Sequence, residues 1–432
     1  MPFYASPGIY VEEVSSGARP IGAVGTSTAG LVGTAPDPSA RPNEAVAVNS
    51  WSEFLRIFAS TENAPSTVLS RAVYGFFDNG GGRCFVVNIA PGEPVGGAGR
   101  RRTGLAALEA VDEVAIVTAP GYADALSYEA LLAHCERLTD RVAILDPPAD
   151  IPDIDALTRV ATVGKPTRPA SPPSSSASPA SSPGSGGSPP PSASSSASSS
   201  ASSSAEPGEA PGLRPRQSDY GSFYVPWLVV RDPLTGEVVA TPPSGHIAGV
   251  WARTDTTRGV HKAPANEPVR GVVDLTYRVT RSEQEVLNPA GVNCIRYFPA
   301  EGIRVWGART LAAEASEWRY LNVRRLFSML KESIADGTRW VVFEPNDSLL
   351  WRSIRRDIGA FLTRVWRDGA LMGRTPQEAF FVKCDEETNP PEVRDAGQVV
   401  AEIGVAPVKP AEFVVFKLSQ SSIGAGAEAL GG

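Results

Sequence analysis

Apolar positions along the chain fall into two rhythms, one suited to buried strands and one to amphipathic helices. Continuous β-branched or aromatic runs at 9–14, 84–89, 114–118 and 142–146, and a Gly/Thr/Ala-rich run at 23–35 ending in Leu31-Val32, read as strands. Between them, Ser66 opens a helical spacing in which Leu69, Val73, Phe76 and Phe77 share a face, and Asn79-Gly80 stops it. A second helix is predicted over 127–138. Buried strands alternating with helices predict a mixed sheet covered on both faces.

The later part of the chain reads differently. A strand is expected at 223–231, with 236–241 as its hairpin partner, and 242–312 reads as mostly irregular. Two strong helix patterns follow: Val323, Phe327, Leu330 and Ile334 within 318–335, and Leu350, Ile354, Ile358, Phe361 and Val365 within 347–368. Strands are predicted between them at 340–343 and after them at 379–384 and 411–418.

Composition changes this picture at one place. From 169 to 205 every residue is Ser, Pro, Ala or Gly, so no side chain there can offset the entropy of ordering. The wider Ser/Pro/Ala-rich stretch, 166–217, reads as a disordered insert hung from a surface loop. Closing so long a loop adds only about 3 kcal/mol. The 432 residues carry 40 basic and 47 acidic side chains, a net charge of −7, which disfavours a nucleic-acid partner. Cys84, Cys135, Cys294 and Cys384 are far apart with no CxxC pair, so no zinc site is expected, and buried thiols in a reducing compartment are. The first residues lack a basic and apolar leader, and the uncharged run 20–36 is too short to span a bilayer. Synthesis in the cytoplasm without membrane insertion is the expectation.

Three constellations invite an enzymatic reading. Ser244, His246 and Asp255 contain the residue types of a hydrolytic triad, but they sit on one short stretch without a G-x-S-x-G elbow. Gly80, Gly81 and Gly82 before Arg83 follow a helix rather than precede one, which favours a helix-ending turn over a phosphate cradle. Asp385, Glu386 and Glu387 match no ordered calcium loop, and His134 and His261 stand alone. No catalytic residue, cofactor or metal ligand is assigned. A cytoplasmic α/β hydrolase using Ser244 and His246 remains the alternative. A different chemistry stands opposite the apolar stripe of 347–368: Arg352, Arg355, Arg356, Arg364 and Arg367 form a candidate basic docking face. Both chain ends also carry short strand-type segments bounded by proline or glycine, which can add to a neighbour's sheet edge.

Several short motifs occur together and in order: Ser6-Pro-Gly-Ile-Tyr-Val-Glu-Glu13, Val24-Gly-Thr-Ser-Thr28, Gly81-Gly-Arg-Cys-Phe-Val-Val87 and Pro243-Ser-Gly-His-Ile-Ala-Gly-Val250. Ala263-Pro-Ala-Asn266, Val305-Trp-Gly-Ala-Arg-Thr310, Asn322-Val-Arg-Arg325, Val342-Phe-Glu-Pro-Asn346 and Pro407-Val-Lys-Pro-Ala-Glu-Phe413 complete the set. With these the chain resembles the sheath subunits of contractile phage tails and related contractile injection systems, everywhere except 166–217. The resemblance implies a mixed α/β (α+β) fold in two parts. An outer α/β domain, 21–310, would carry the disordered insert on its outer surface, and an inner α+β domain would span 311–405. Extended terminal arms would be 1–20 and 406–432.

It further implies a metastable helical sleeve of stacked rings of this chain around an inner tube protein, with baseplate and terminal cap proteins as partners. That sleeve would contract without nucleotide to drive the tube into a target. Ile9, Tyr10, Val11 and Val14 would be exchanged between subunits, as would Phe413, Val414, Val415, Phe416 and Leu418. The arginines of 347–368 would face the tube. The expected location is the cytoplasm, within a phage-like particle.

Overall fold

The apolar runs of the first half assemble side by side because each buries both faces. The computed structural model describes residues 20–60, 64–97, 102–151, 153–161 and 212–413. Six parallel strands form the centre of a nine-stranded sheet: Cys84–Asn88 (β3), Ala29–Gly33 (β1), Ile116–Thr118 (β4), Val142–Leu145 (β5), Gly221–Val225 (β6) and Val292–Phe298 (β11), in that spatial order. Val46–Val48 (β2) closes one edge antiparallel to β3. Gly302–Val305 (β12) and Glu267–Pro268 (β9) close the other.

Side chains alternate between two cores, as the pleat requires. Val142 and Ile144 point into one, with Trp51–Phe58 (α1), Val68–Asp78 (α2) and Ser244–Arg258 (α4). Ala143 and Leu145 point into the other, with Ala125–Leu138 (α3) and Leu287 of Arg281–Leu287 (α5). Leu228–Arg231 (β7), Val238–Thr241 (β8) and Val272–Leu275 (β10) make a separate three-stranded sheet. The run 223–231 is therefore two strands in two sheets, divided at Pro226, which has no N–H for a ladder. The expected hairpin of 236–241 with its second half is present.

The stretch 242–312, read as irregular, holds α4, α5 and β9 to β12. The reason lies in α4: its residues from Ser244 through Ala252 are all buried, so it shows no amphipathic period. Glycine lets α4 lie almost on α2. A Cβ on Gly245 would stand 2.4 Å from the Ala72 carbonyl oxygen, and one on Gly249 would stand 2.4 Å from that of Phe76. Asn79 ends α2 and Gly80 turns out of it with φ of 101°, in agreement with the helix-ending reading.

Residues 162–211, which include the insert from 166 to 211, lie outside the described residues. The chain flanking them is stitched together: Ala161 N–H donates to the Arg214 carbonyl (2.7 Å), and Arg214 N–H to that of Arg159 (2.9 Å). The stretch 212–217, read as the end of the insert, belongs to the folded body. Arg216 reaches Glu129 and Glu136 of α3 at 2.6 and 2.8 Å.

A third core forms around Leu321–Gly337 (α6) and Ser348–Arg367 (α7), joined by the antiparallel pair Phe380–Lys383 (β13) and Glu402–Val405 (β14). Helix α7 matches its predicted spacing, whereas in α6 Leu326 and Met329 join Leu330 in the third core and Phe327 is only partly buried, against the Trp318 ring. The strand expected at 340–343 is instead a tight 3-10 turn over Arg339–Val341, because Trp340 and Val341 fold back on the third core. Phe343 then leaves fully exposed, with φ of 71°.

Residues 21–26 cross this helical unit before entering the sheet. Ile21 is buried in the third core, and Val24 N–H donates to Ser333 Oγ at 3.0 Å. The seam between the two units is polar. Arg325 of α6 meets both carboxylate oxygens of Asp255 of α4 at 2.9 and 2.6 Å, and each side chain is only 3% exposed. Arg325 also donates to the Thr26 carbonyl (3.0 Å) and lies 4.7 Å over the Trp251 ring, while Thr26 Oγ1 donates to Asp255 (2.7 Å). Its neighbour Arg324 reaches Asp219 (3.0 Å) between the Tyr220 and Trp318 rings.

Two stability predictions follow from this packing. Gly245→Ala forces α2 and α4 apart and lowers unfolding free energy by about 1–3 kcal/mol in urea titration. An unchanged midpoint would mean the crossing is looser than described. Asp255→Asn strands the Arg325 charge away from water and costs about 3–5 kcal/mol, whereas Asp255→Leu with Arg325→Met recovers most of it. Equal losses in the single and double variants would refute the pairing.

Candidate assembly site

The hydrolase constellation comes apart in three dimensions. Ser244 and His246 lie inside the first turn of α4, not on a loop, and both are buried. Ser244 Oγ donates to Asp146 at 2.6 Å, and its backbone N–H to the same carboxylate at 2.8 Å. Asp146, just after β5, thus holds the first residue of the helix and also accepts from the Gly121 N–H at 3.1 Å. Burial pushes its carboxyl up to about 6. His246 packs on Gly75 with Nδ1 unbonded, and burial holds its imidazole down at about 4. Asp255 is committed to Arg325. No nucleophile–base–orienter chain exists among these residues.

The other candidates resolve into local structure. Asp385 Oδ1 accepts from the backbone N–H groups of Glu387 (3.0 Å) and Thr388 (3.3 Å), and Glu387 pairs with Lys383. The cluster is a turn at the end of β13, and no group of metal-ligating side chains occurs among the described residues. His134 is buried in α3, with burial lowering its imidazole to about 4. His261 is half-buried, and its carbonyl accepts from Asn322 Nδ2 at 2.7 Å. All four thiols are buried and unpaired with one another, and burial raises each of them, Cys294 to about 12.

Helix α7 keeps its predicted stripe and opens a basic face. Leu350, Ile354, Ile358, Phe361 and Val365 are buried, and Asp347 caps the helix through the N–H groups of Leu349 and Leu350. Arg352, Arg356 and Arg367 are exposed, Arg355 is half-buried, and Arg356 pairs with buried Asp357 at 2.9 Å. Arg364 is different, since its guanidinium donates to the Ile21 carbonyl. It holds the segment that leads out to the N-terminus.

Beside α7, the pair β13–β14 is met by no third strand among the described residues. Two strands alone are marginal, and both outer edges carry free ladder positions. Large apolar side chains stand exposed on the same helical unit: Val342, Phe343, Leu349, Met372, Phe381 and Val400. Phe413 follows, also exposed, at the last described residue. The remaining arm residues, Ile9, Tyr10, Val11, Val14, Val414, Val415, Phe416 and Leu418, lie outside the described residues.

Sequence reasoning found the α7 arginines but missed the arginines that organise the seam. Arg309, Arg324 and Arg325 are each under a tenth exposed and ion-paired. Adjacent arginines on the apolar side of a helical pattern, at Arg324-Arg325, were the available signal.

Comparison with known proteins bears directly on this arrangement. Residues 214–311 match the family described as the phage tail sheath protein central domain, and 313–421 match the phage tail sheath C-terminal domain. The tail sheath protein of Vibrio phage KVP40 is 33% identical over 184 residues, covering 42% of this chain and 26% of the relative. That of Enterobacteria phage T4 is 25% identical over 194 residues, covering 44% and 28%. The chain thus aligns with only about a quarter of the length of these curated relatives. Among solved structures, the sheath complex of the extracellular contractile injection system PVC in its contracted state matches at 25% identity with a TM-score of 0.72, covering 98% of this chain and 99% of that one. The contracted helical sheath of the anti-feeding prophage matches at 26% identity and a TM-score of 0.68, covering 97% and 100%. Both tail sheath domains are thus matched in order, and the fold is that of contractile sheath subunits along nearly the whole chain.

Proposed function

We propose that this chain is the sheath subunit of a contractile tail or contractile injection device. In this reading subunits stack in rings as a metastable sleeve around an inner tube protein. A baseplate and a terminal cap bound the sleeve, which shortens to drive the tube into a target. No catalytic step is involved: the free energy is stored in the extended lattice. The α/β body, 21–310, forms the outer wall and would carry the insert on its outer surface, and 311–405 forms the inner domain. The particle is built in the cytoplasm.

The observation that carries this reading is the unfinished pair β13–β14, set on a unit rich in exposed apolar side chains. Such an edge is completed by extended segments that contribute main-chain hydrogen bonds. We assign residues 1–20 and the part of 406–432 beyond Phe413, from neighbouring subunits, as those segments, since 406–412 bond within their own subunit. At about 0.5–1.5 kcal/mol net per bond, two added strands supply several kcal/mol per subunit. Arms that join neighbouring subunits keep them connected while their bodies rotate. The exposed arginines of α7 fit an acidic tube surface, where charge sets register and encounter rate.

Two experiments test the arms and the basic face. Deleting 1–14 is expected to leave folded monomers by circular dichroism and sedimentation, with rods absent from electron micrographs; intact sleeves from that variant refute the arm model. Replacing Arg352, Arg356 and Arg367 together by Glu is expected to abolish extended sleeves around the tube. Normal extended particles would remove the tube-facing role from α7.

A further inference from the structure

The described C-terminal stretch does something that strand exchange beyond it does not require. After β14 it first stays on the helical unit, where Ala406 and Val408 exchange backbone hydrogen bonds with Ala379, Met372 and Ala370. Asn322 Nδ2 donates to the Val408 carbonyl at 3.1 Å. The chain then crosses the seam, with Pro407 and Pro410 fixing two φ angles on the way. It ends on the α/β body, where Glu412 lies against Arg309. The guanidinium, 2% exposed, grips both carboxylate oxygens, with Nε at 2.9 and 3.2 Å and Nη2 closing the pair. Its remaining nitrogen, Nη1, donates to the Asn288 carbonyl at 2.7 Å.

Arg309 is itself immobilised. Its backbone N–H donates to Asn293 Oδ1 (2.7 Å), and its carbonyl accepts from Asn293 Nδ2 and Ser222 Oγ, both at 2.9 Å. Asn293 belongs to β11 and Ser222 to β6, so Arg309 is bolted to two parallel strands of the large sheet. Phe413, the next residue after Glu412, is exposed.

We propose that the Arg309–Glu412 pair is the root through which the C-terminal arm passes tension to the body. Tension on residues beyond 413 then enters the large sheet through β6 and β11, instead of peeling β14 from β13. Arg309 and Glu412 are positioning residues: they fix where and in which direction the arm leaves. The inference rests on the arm reading above, and its test keeps the two separable.

Four full-length or truncated chains decide it: wild type, Glu412→Gln, the double variant Arg309→Met with Glu412→Met, and a deletion of 414–432. Backbone 15N relaxation on unassembled protein is expected to show the order parameters of the Ala411, Glu412 and Phe413 amides falling below about 0.6 in both substituted chains, with β14 unchanged. The double variant leaves no stranded charge, so it is expected to melt like wild type yet still fail to form sleeves. A merely structural pair would assemble once its stability returned. Wild-type order parameters at 411–413 in Glu412→Gln overturn the anchor. So does normal sleeve formation by the double variant when the 414–432 deletion forms none. Lowered order at 411–413 together with normal sleeves from the 414–432 deletion leaves the anchor standing and overturns the arm reading instead.

Discussion

The placement of everything else depends on one buried ion pair, Arg325 with Asp255. Two units with their own cores meet here, and three distant segments converge on it: the irregular segment leading into β1, helix α4 and helix α6. A buried pair adds little stability over an apolar contact of the same size. What it does supply is position, because sliding the units by a few ångströms would leave a guanidinium and a carboxylate without water or partner. The same seam therefore determines where residues 21–26 lie on α6 and α7, and so where the chain leads off towards residue 1.

Both ends of the described chain are tied down by arginine immediately before they leave. Arg364 holds the Ile21 carbonyl, and Arg309 holds the Glu412 carboxylate. The ends thus depart from a rigid frame, near an open two-stranded sheet. Main-chain bonding at such an edge is insensitive to side-chain identity, whereas direction of approach is strict. A family can then diverge to a quarter of identical positions and keep one fold, as the match to the contracted PVC sheath illustrates.

Legibility in the sequence followed exposure. Where one face of an element meets water, periodicity shows it: α6 and α7 were read to within a few residues, and the strands β3 and β5 by their continuous apolar runs. Helix α4 was invisible because glycine, threonine and alanine pack it on every side. The same burial explains the false triad, since Ser244 and His246 are helix-start and core residues. Helix α1, with its Ser50 cap, and strand β14 were also passed over, the latter because two adjacent strands in a small sheet give too short a signal. The seam arginines were hidden for another reason. A charged residue suggests solvent until its partner is known, and Asp219, Asp255 and Glu412 lie 70 to 105 positions away.

The four cysteines, shut in the interior with their protons held tightly, have a consequence for the life of the subunit. Thiolate is the form that oxidants, electrophiles and partner thiols attack, and here it is scarce at any physiological pH. A subunit whose thiols are shut in this way keeps the same covalent structure in reducing and in oxidising surroundings. It can wait in either, neither rusting shut nor needing a chemical lock to be undone.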